Sequence, residues 1–195
     1  RLPRAYNLDQ LSALLGACRD ARGAICGLPA GRYWAAVMLV LYDTGIRPGA
    51  CWSLQRSNVD LSERTLFVDW STQKQKADQL FRLSGDTVAA IREIWLPERV
   101  LLFPWDRNEH TRYLHWQRIL RRAGLPTGRM EMFSKLRKTC ATLAKRYGAD
   151  PTQQLGHSSD AVTRRYYLAP EMGAQAADVL PRPTAPHAEH QLRLF

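Results

Sequence analysis

Between Trp34 and Tyr42 the chain reads Trp-Ala-Ala-Val-Met-Leu-Val-Leu-Tyr, apolar on nearly every side. A helix with no polar face belongs inside the molecule, so the rest of the chain has to pack around this one. It is too short to cross a bilayer, which takes about 20 apolar residues. The whole sequence has 195 residues, enough for one well-buried domain and a tail.

The flanking segments supply layers for that core. Asn7 is placed to cap a helix, with Gln10 three residues on as its capping-box partner. Leu8, Leu11, Leu14, Leu15 and Cys18 then form one apolar stripe. Gly23 to Gly31 reads as a glycine-rich link. After Asp43-Thr44-Gly45 breaks the core helix, Pro48 suits the first turn of a short helix running to Leu54. The period then changes. Thr65 to Trp70 and Leu80 to Leu83 read as two short strands, joined by the polar segment Ser71 to Gln79.

Helical stripes return at Val88, Ile91, Ile94 and Trp95, and again at Tyr113, Trp116, Ile119 and Leu120, with Gly124 as a stop. A further helix buries Leu136, Cys140 and Leu143 and halts at Gly148, and Asp150-Pro151 signals one more. Beyond Ala169 the rhythm weakens, and Pro181, Pro183 and Pro186 mark an extended tail ending in Leu192-Arg193-Leu194-Phe195. The expected fold is mainly α with a small antiparallel β-sheet.

The formal charge is +10 and the isoelectric point is near 9.9. Such an excess favours a polyanionic partner, because each cation set on a phosphate releases a counterion. The opening Arg1-Leu2-Pro3-Arg4 is not a signal peptide. Cys18, Cys26, Cys51 and Cys140 form no C-x-x-C pair, and the histidines no H-E-x-x-H, so no metal or other cofactor is expected. Buried free thiols in a reducing compartment fit the cysteines better.

Four separated residues suggest chemistry. Phosphodiester attack builds negative charge on the non-bridging oxygens, and two guanidinium forks can clamp them. Arg47 lies between a helix break and a helix start, and Arg137 sits near the N-terminus of a helix, where the dipole also favours an anion. Either arginine alone is ordinarily a solvated surface group. His157 follows Leu155-Gly156 and can donate to a phosphate oxygen or move a proton, though a lone histidine there is more often a turn residue. Tyr166 lies nine residues later. Its phenol has an ordinary pKa of about 10, and nearby arginines would favour the nucleophilic phenolate. Tyr167 is the rival, but it points about 100° away on a helix.

Together these stretches resemble the catalytic domain of the tyrosine recombinase, or phage integrase, family, from about Leu8 to Pro170. Thr44-Gly45-Ile46-Arg47, with Leu54 and Ser57-Asn58-Val59-Asp60, looks like the family's first box. Phe133 to Thr142 looks like the start of its second, which Leu155-Gly156-His157 and Tyr166 complete. The resemblance implies a site-specific DNA recombinase or integrase that cuts and rejoins strands through a 3′-phosphotyrosyl link. Arg47 and Arg137 would hold the phosphate, His157 would assist, and Tyr166 would attack. A hairpin lysine, Lys74 in preference to Lys76, would protonate the leaving 5′-oxygen. Lys135, Lys138, Arg164 and Arg165, cations beside the motifs, are expected to contact DNA.

The resemblance also implies double-stranded DNA and a synaptic tetramer as partners, no membrane, and a cytoplasmic, nucleoid-associated place for a bacterial or phage-encoded protein. It divides the chain into a catalytic domain over 1–170 and a tail over 171–195 that is extended or exchanged, with the family's N-terminal core-binding domain absent. Two positions depart from the pattern. Ser134 stands where the family usually has histidine, and a serine is no base near neutral pH, though it can hydrogen-bond a phosphate oxygen. Proton removal by another group, a slow enzyme or a site altered by substitution would each follow. The alternative reading is a DNA-binding module that kept the fold without turnover. Ala50 replaces a common structural glutamate, which removes a supporting contact.

Overall fold

A computed structural model describes residues 5–69, 71, 78–149, 155 and 180–183. Helix α1 (Leu8–Arg19) starts on the expected capping box. The Asn7 side chain accepts from the Gln10 N–H at 2.8 Å, and Gln10 Oε1 accepts from the Asn7 N–H at 3.1 Å. Such a cap is worth about 1 kcal/mol. Leu11, Leu14, Leu15 and Cys18 of the stripe are buried, whereas Leu8, in the open first turn, is exposed.

The glycine-rich link holds structure of its own. Strands β1 (Ala24–Ile25) and β2 (Leu28–Pro29) form a two-residue antiparallel hairpin. Its turn needs left-handed backbone at Cys26 and Gly27, φ 47° and 78°, and it buries Ile25 and Leu28. Helix α2 (Ala30–Thr44) follows directly and is buried along almost its whole length. Gly31 lets it close on α1, because a Cβ there would meet the Arg19 carbonyl oxygen at 2.2 Å.

Helix α3 (Pro48–Ser53) is short and carries Pro48 at its start. The sheet has three strands, one more than the alternation suggested: β3 (Val59–Asp60), β4 (Thr65–Val68) and β5 (Gln79–Arg82), in the order β3-β4-β5 and antiparallel. Leu66 pairs with Phe81, and both are buried. Helix α4 (Gly85–Arg92) is capped by Ser84 and stops before the stripe does. Ile94 is buried from the tight turn beyond it.

Helices α5 (Glu109–Arg122) and α6 (Ser134–Arg146) complete the described fold. Gly124 and Gly148 follow them with positive φ. Helix α2 packs against α1, α4 and α6, so the apolar helix is central, as its composition demands. An aromatic cluster fixes the start of α6. Phe133 is buried beneath Trp116 at 4.7 Å and Trp52 at 4.8 Å between ring centroids. Cys18, Cys51 and Cys140 are buried free thiols, and Cys26 is half-buried. Among the described residues no helix is long and apolar enough to cross a membrane.

Candidate active site

The turn carrying Arg47 is rigidly built. Helix α2 ends at Gly45, whose φ of +62° is the left-handed conformation glycine takes without strain. There is no room for a side chain either, since a Cβ would sit 2.7 Å from Leu155 Cδ2 and 3.2 Å from Cys140 Sγ. Thr44 Oγ1 donates to the Val40 carbonyl at 2.6 Å and accepts from the Ile46 N–H at 3.3 Å. Ile46 is buried and Pro48 restricts the residue before it to extended backbone, so Arg47 is held extended between them as the N-cap of α3. Its side chain is half-buried, and Nε has no hydrogen-bond partner among the described residues.

Arg137 lies in the second turn of α6 and reaches the same place. Its Nη1 donates to the Gly45 carbonyl at 2.5 Å and its Nη2 to the Leu155 carbonyl at 2.9 Å. Burial, and then the charge of Arg47, lowers its pKa to about 10, with Cys140 opposing. The Arg47 charge is thus close enough to Arg137 to disfavour the charged form of its guanidinium. Three segments distant in sequence therefore converge here: the end of α2 with Arg47, the start of α6, and Leu155, two residues before His157.

Ser134 is exposed at the first position of α6, one turn ahead of Arg137 on the same side of the helix. Lys138 is half-buried. Lys135 corrects an expectation. It is only 6% exposed, its ammonium is paired with Glu131, and it lies over the Tyr6 ring, so it does not present its charge to DNA. Neighbouring helix residues point in different directions, and the cluster under α6 captured this one. Lys74, Lys76, His157, Arg164, Arg165, Tyr166 and Tyr167 lie outside the described residues.

Sequence reasoning missed Asp43, one residue past the apolar run. Its fully buried carboxylate accepts from the Ser84 N–H at 2.8 Å and from Thr87 Oγ1 at 2.7 Å, and it pairs with Arg182. Tyr42 OH donates to the Pro181 carbonyl at 2.7 Å, and Leu180 is buried. The segment 180–183 is thus seated on the end of α2, immediately before the Arg47 turn. The available signal was an acidic residue closing an otherwise apolar helix. Ala50 is buried without trouble in α3.

The fold is that of tyrosine recombinase catalytic domains. The XerA recombinase shares 24% identity at a TM-score of 0.66, over 85% of this chain and 60% of that one. The integrase from mycobacterium phage Brujita shares 17% at 0.69, over 97% and 62%. The XerH site-specific recombinase, bound to its difH substrate in a pre-cleavage complex, shares 18% at 0.65, over 86% and 50%. The chain thus spans between half and two thirds of these proteins. No curated protein matches the sequence. Residues 6–172 match the pattern of the phage integrase family, and the chain belongs to that family.

Proposed function

We propose that this chain is the strand-cutting and strand-joining part of a site-specific DNA recombinase or integrase. The observation that carries the reading is Arg137 bridging the Gly45 and Leu155 carbonyls beside Arg47. The two arginines bind the non-bridging oxygens of one scissile phosphate and stabilise the charge that grows there during in-line attack. Tyr166 attacks phosphorus through its phenolic oxygen, forming a 3′-phosphotyrosyl ester as the bond to the 5′-oxygen breaks. Lys74, or Lys76, gives that oxygen its proton. A 5′-hydroxyl then attacks the ester, releases the tyrosine and reseals the strand. The ester conserves the bond, so the cycle needs no nucleotide and no metal.

His157 hydrogen-bonds the same phosphate, and Lys138, Arg164 and Arg165 contact the neighbouring backbone. Ser134 donates to a phosphate oxygen from the α6 N-terminus but takes no proton from Tyr166, so turnover is slow. Residues 1–170 form the catalytic unit, and 171–195 form a tail that is seated on it through Leu180, Pro181 and Arg182. Double-stranded DNA is the partner, in line with the DNA-bound state of the XerH relative, and four copies assemble on paired sites.

The exposed serine in place of a base also favours a second reading, a DNA-binding module without turnover. One experiment separates the two. The chain is incubated with nicked duplexes of randomised core sequence, denatured, and examined for covalent protein–DNA adduct. The proposal expects an adduct that Tyr166→Phe abolishes and Tyr167→Phe does not. Salt-sensitive binding with no adduct from the natural sequence supports the binding module instead.

A further inference from the structure

Lys135 stands between Ser134 and Arg137 in sequence, yet it points into the molecule. Residues two apart on a helix are turned about 200° from each other. Arg137 therefore faces the proposed phosphate site while Lys135 faces the back of α6. There it joins a closed set of contacts. Its ammonium pairs with Glu131 and lies 4.2 Å from the centroid of the Tyr6 ring. Tyr6 OH donates to the Glu131 carbonyl at 3.0 Å, and the Tyr6 N–H donates to Thr139 Oγ1 at 3.0 Å. Thr139 Oγ1 in turn donates to the Lys135 carbonyl at 2.8 Å.

The set is almost entirely out of water. Tyr6 is 2% exposed, Lys135 is 6%, and Thr139 is buried completely. A lysine is rarely enclosed this way unless it is paired, because its charge loses hydration. Burial, and then the Glu131 charge, pushes the Tyr6 phenol far above its ordinary value, so it remains a hydrogen-bond donor across the working pH range. Glu131 ends the 3₁₀ turn Arg129–Glu131, which leads into α6. The contacts therefore grip α6 from its lead-in and its second turn, and tie both to the residue just ahead of α1.

We propose that Tyr6, Glu131 and Lys135 are positioning residues that set the placement of the first turns of α6, and hence of the Arg137 guanidinium. The inference rests on the reading of Arg137 as a phosphate clamp. A guanidinium spanning two backbone carbonyls tolerates little rotation of its helix, so the lock on the back face maintains geometry on the front. It acts on the rate of the bound complex, since the surface that meets DNA is untouched.

The test uses the 195-residue chain and nicked duplexes of randomised core. Adduct formation is followed under single-turnover conditions, with duplex affinity by anisotropy and Tm by calorimetry. Lys135→Met is expected to slow adduct formation on the order of 10- to 100-fold, as small misplacements of a catalytic group do. Duplex affinity should change by less than about 3-fold. Lys135→Arg should restore most of the rate, because a guanidinium can also pair with Glu131. Tyr6→Phe removes only the hydroxyl contact and should give a smaller loss in the same direction, which decides the matter if Lys135→Met does not fold.

Adduct at the natural rate in Lys135→Met or Tyr6→Phe overturns the lock and leaves the function standing. So does a parallel fall of rate, affinity and Tm without rescue by arginine, which marks a merely structural cluster. No adduct from the natural sequence is a separate result: it overturns the strand-cutting reading, and the lock's effect on rate falls with it.

Discussion

The Arg137 guanidinium donates to the Gly45 carbonyl at 2.5 Å, so a side chain from α6 is fastened to the backbone two residues ahead of Arg47. The contact joins the two halves of the proposed phosphate clamp through a turn that has no slack. The planar fork of the guanidinium holds the Gly45 and Leu155 carbonyls at once, one on each terminal nitrogen.

Charge alone should therefore not substitute for Arg137. Arg137→Gln is expected to lower the single-turnover rate of adduct formation by on the order of 10²–10³. Arg137→Lys should lose nearly as much, because an ammonium cannot span the Gly45 and Leu155 carbonyls. A lysine variant within about 3-fold of the natural rate would contradict the bridge.

Gly45→Ala should destabilise the protein as well as the site. The substitution places a methyl group 2.7 Å from Leu155 Cδ2 and forces an L-residue into φ +62°. The left-handed backbone costs roughly 1–2 kcal/mol and the overpacking about 1–3 kcal/mol more. Urea unfolding should show a lower midpoint at unchanged slope. A midpoint equal to that of the natural protein would mean that the turn has another conformation.

His115 predicts an acid-side sensitivity. Burial, then the charges of Arg118 and Arg107, lowers its pKa from the ordinary 6.5. The unfolded chain thus takes up this proton first. Its contribution is complete above about 6.5 and is lost as the pH falls through the folded value. His115→Phe keeps a ring against Trp34 and Trp105 and should flatten the fall in unfolding midpoint over that window. Parallel curves for the two proteins would remove His115 as the cause.

The Asp43–Arg182 pair should behave as a unit. Asp43→Ala removes a buried carboxylate that pairs with Arg182 and accepts from the Ser84 N–H and Thr87 Oγ1, and should cost about 3–5 kcal/mol. The double variant with Arg182→Ala should cost less than the sum of the two single changes. Strict additivity in equilibrium unfolding would show that the two groups do not interact.

Local signals read correctly from sequence. The capping box at Asn7, the buried run from Trp34 to Tyr42 and the proline start of α3 are each fixed by residues within a few positions. The Arg47 and Arg137 pairing was legible only through motif order, and the structure brings Arg137 to the Gly45 carbonyl, two residues ahead of Arg47. What failed was either too short or too distant. The hairpin Ala24–Pro29 has two residues per strand, so no alternation could appear. Lys135 reads as a solvated cation unless one knows that Tyr6 and Glu131 wait beneath it. Asp43 and its cation are 139 residues apart. Pattern reading senses neighbours along the chain and not partners across the core.

That last separation bears on biosynthesis. The carboxylate at the end of the central helix emerges from the ribosome early, and its cation comes only when residue 182 has been made. Vectorial folding can stack the first helices as they appear, and the Ser84 N–H and Thr87 hydroxyl reach the carboxylate well before Arg182 is made to complete the cluster. The nascent domain should therefore stay soft and open to proteases, and set firm only in a late step, when the segment 180–183 closes over it.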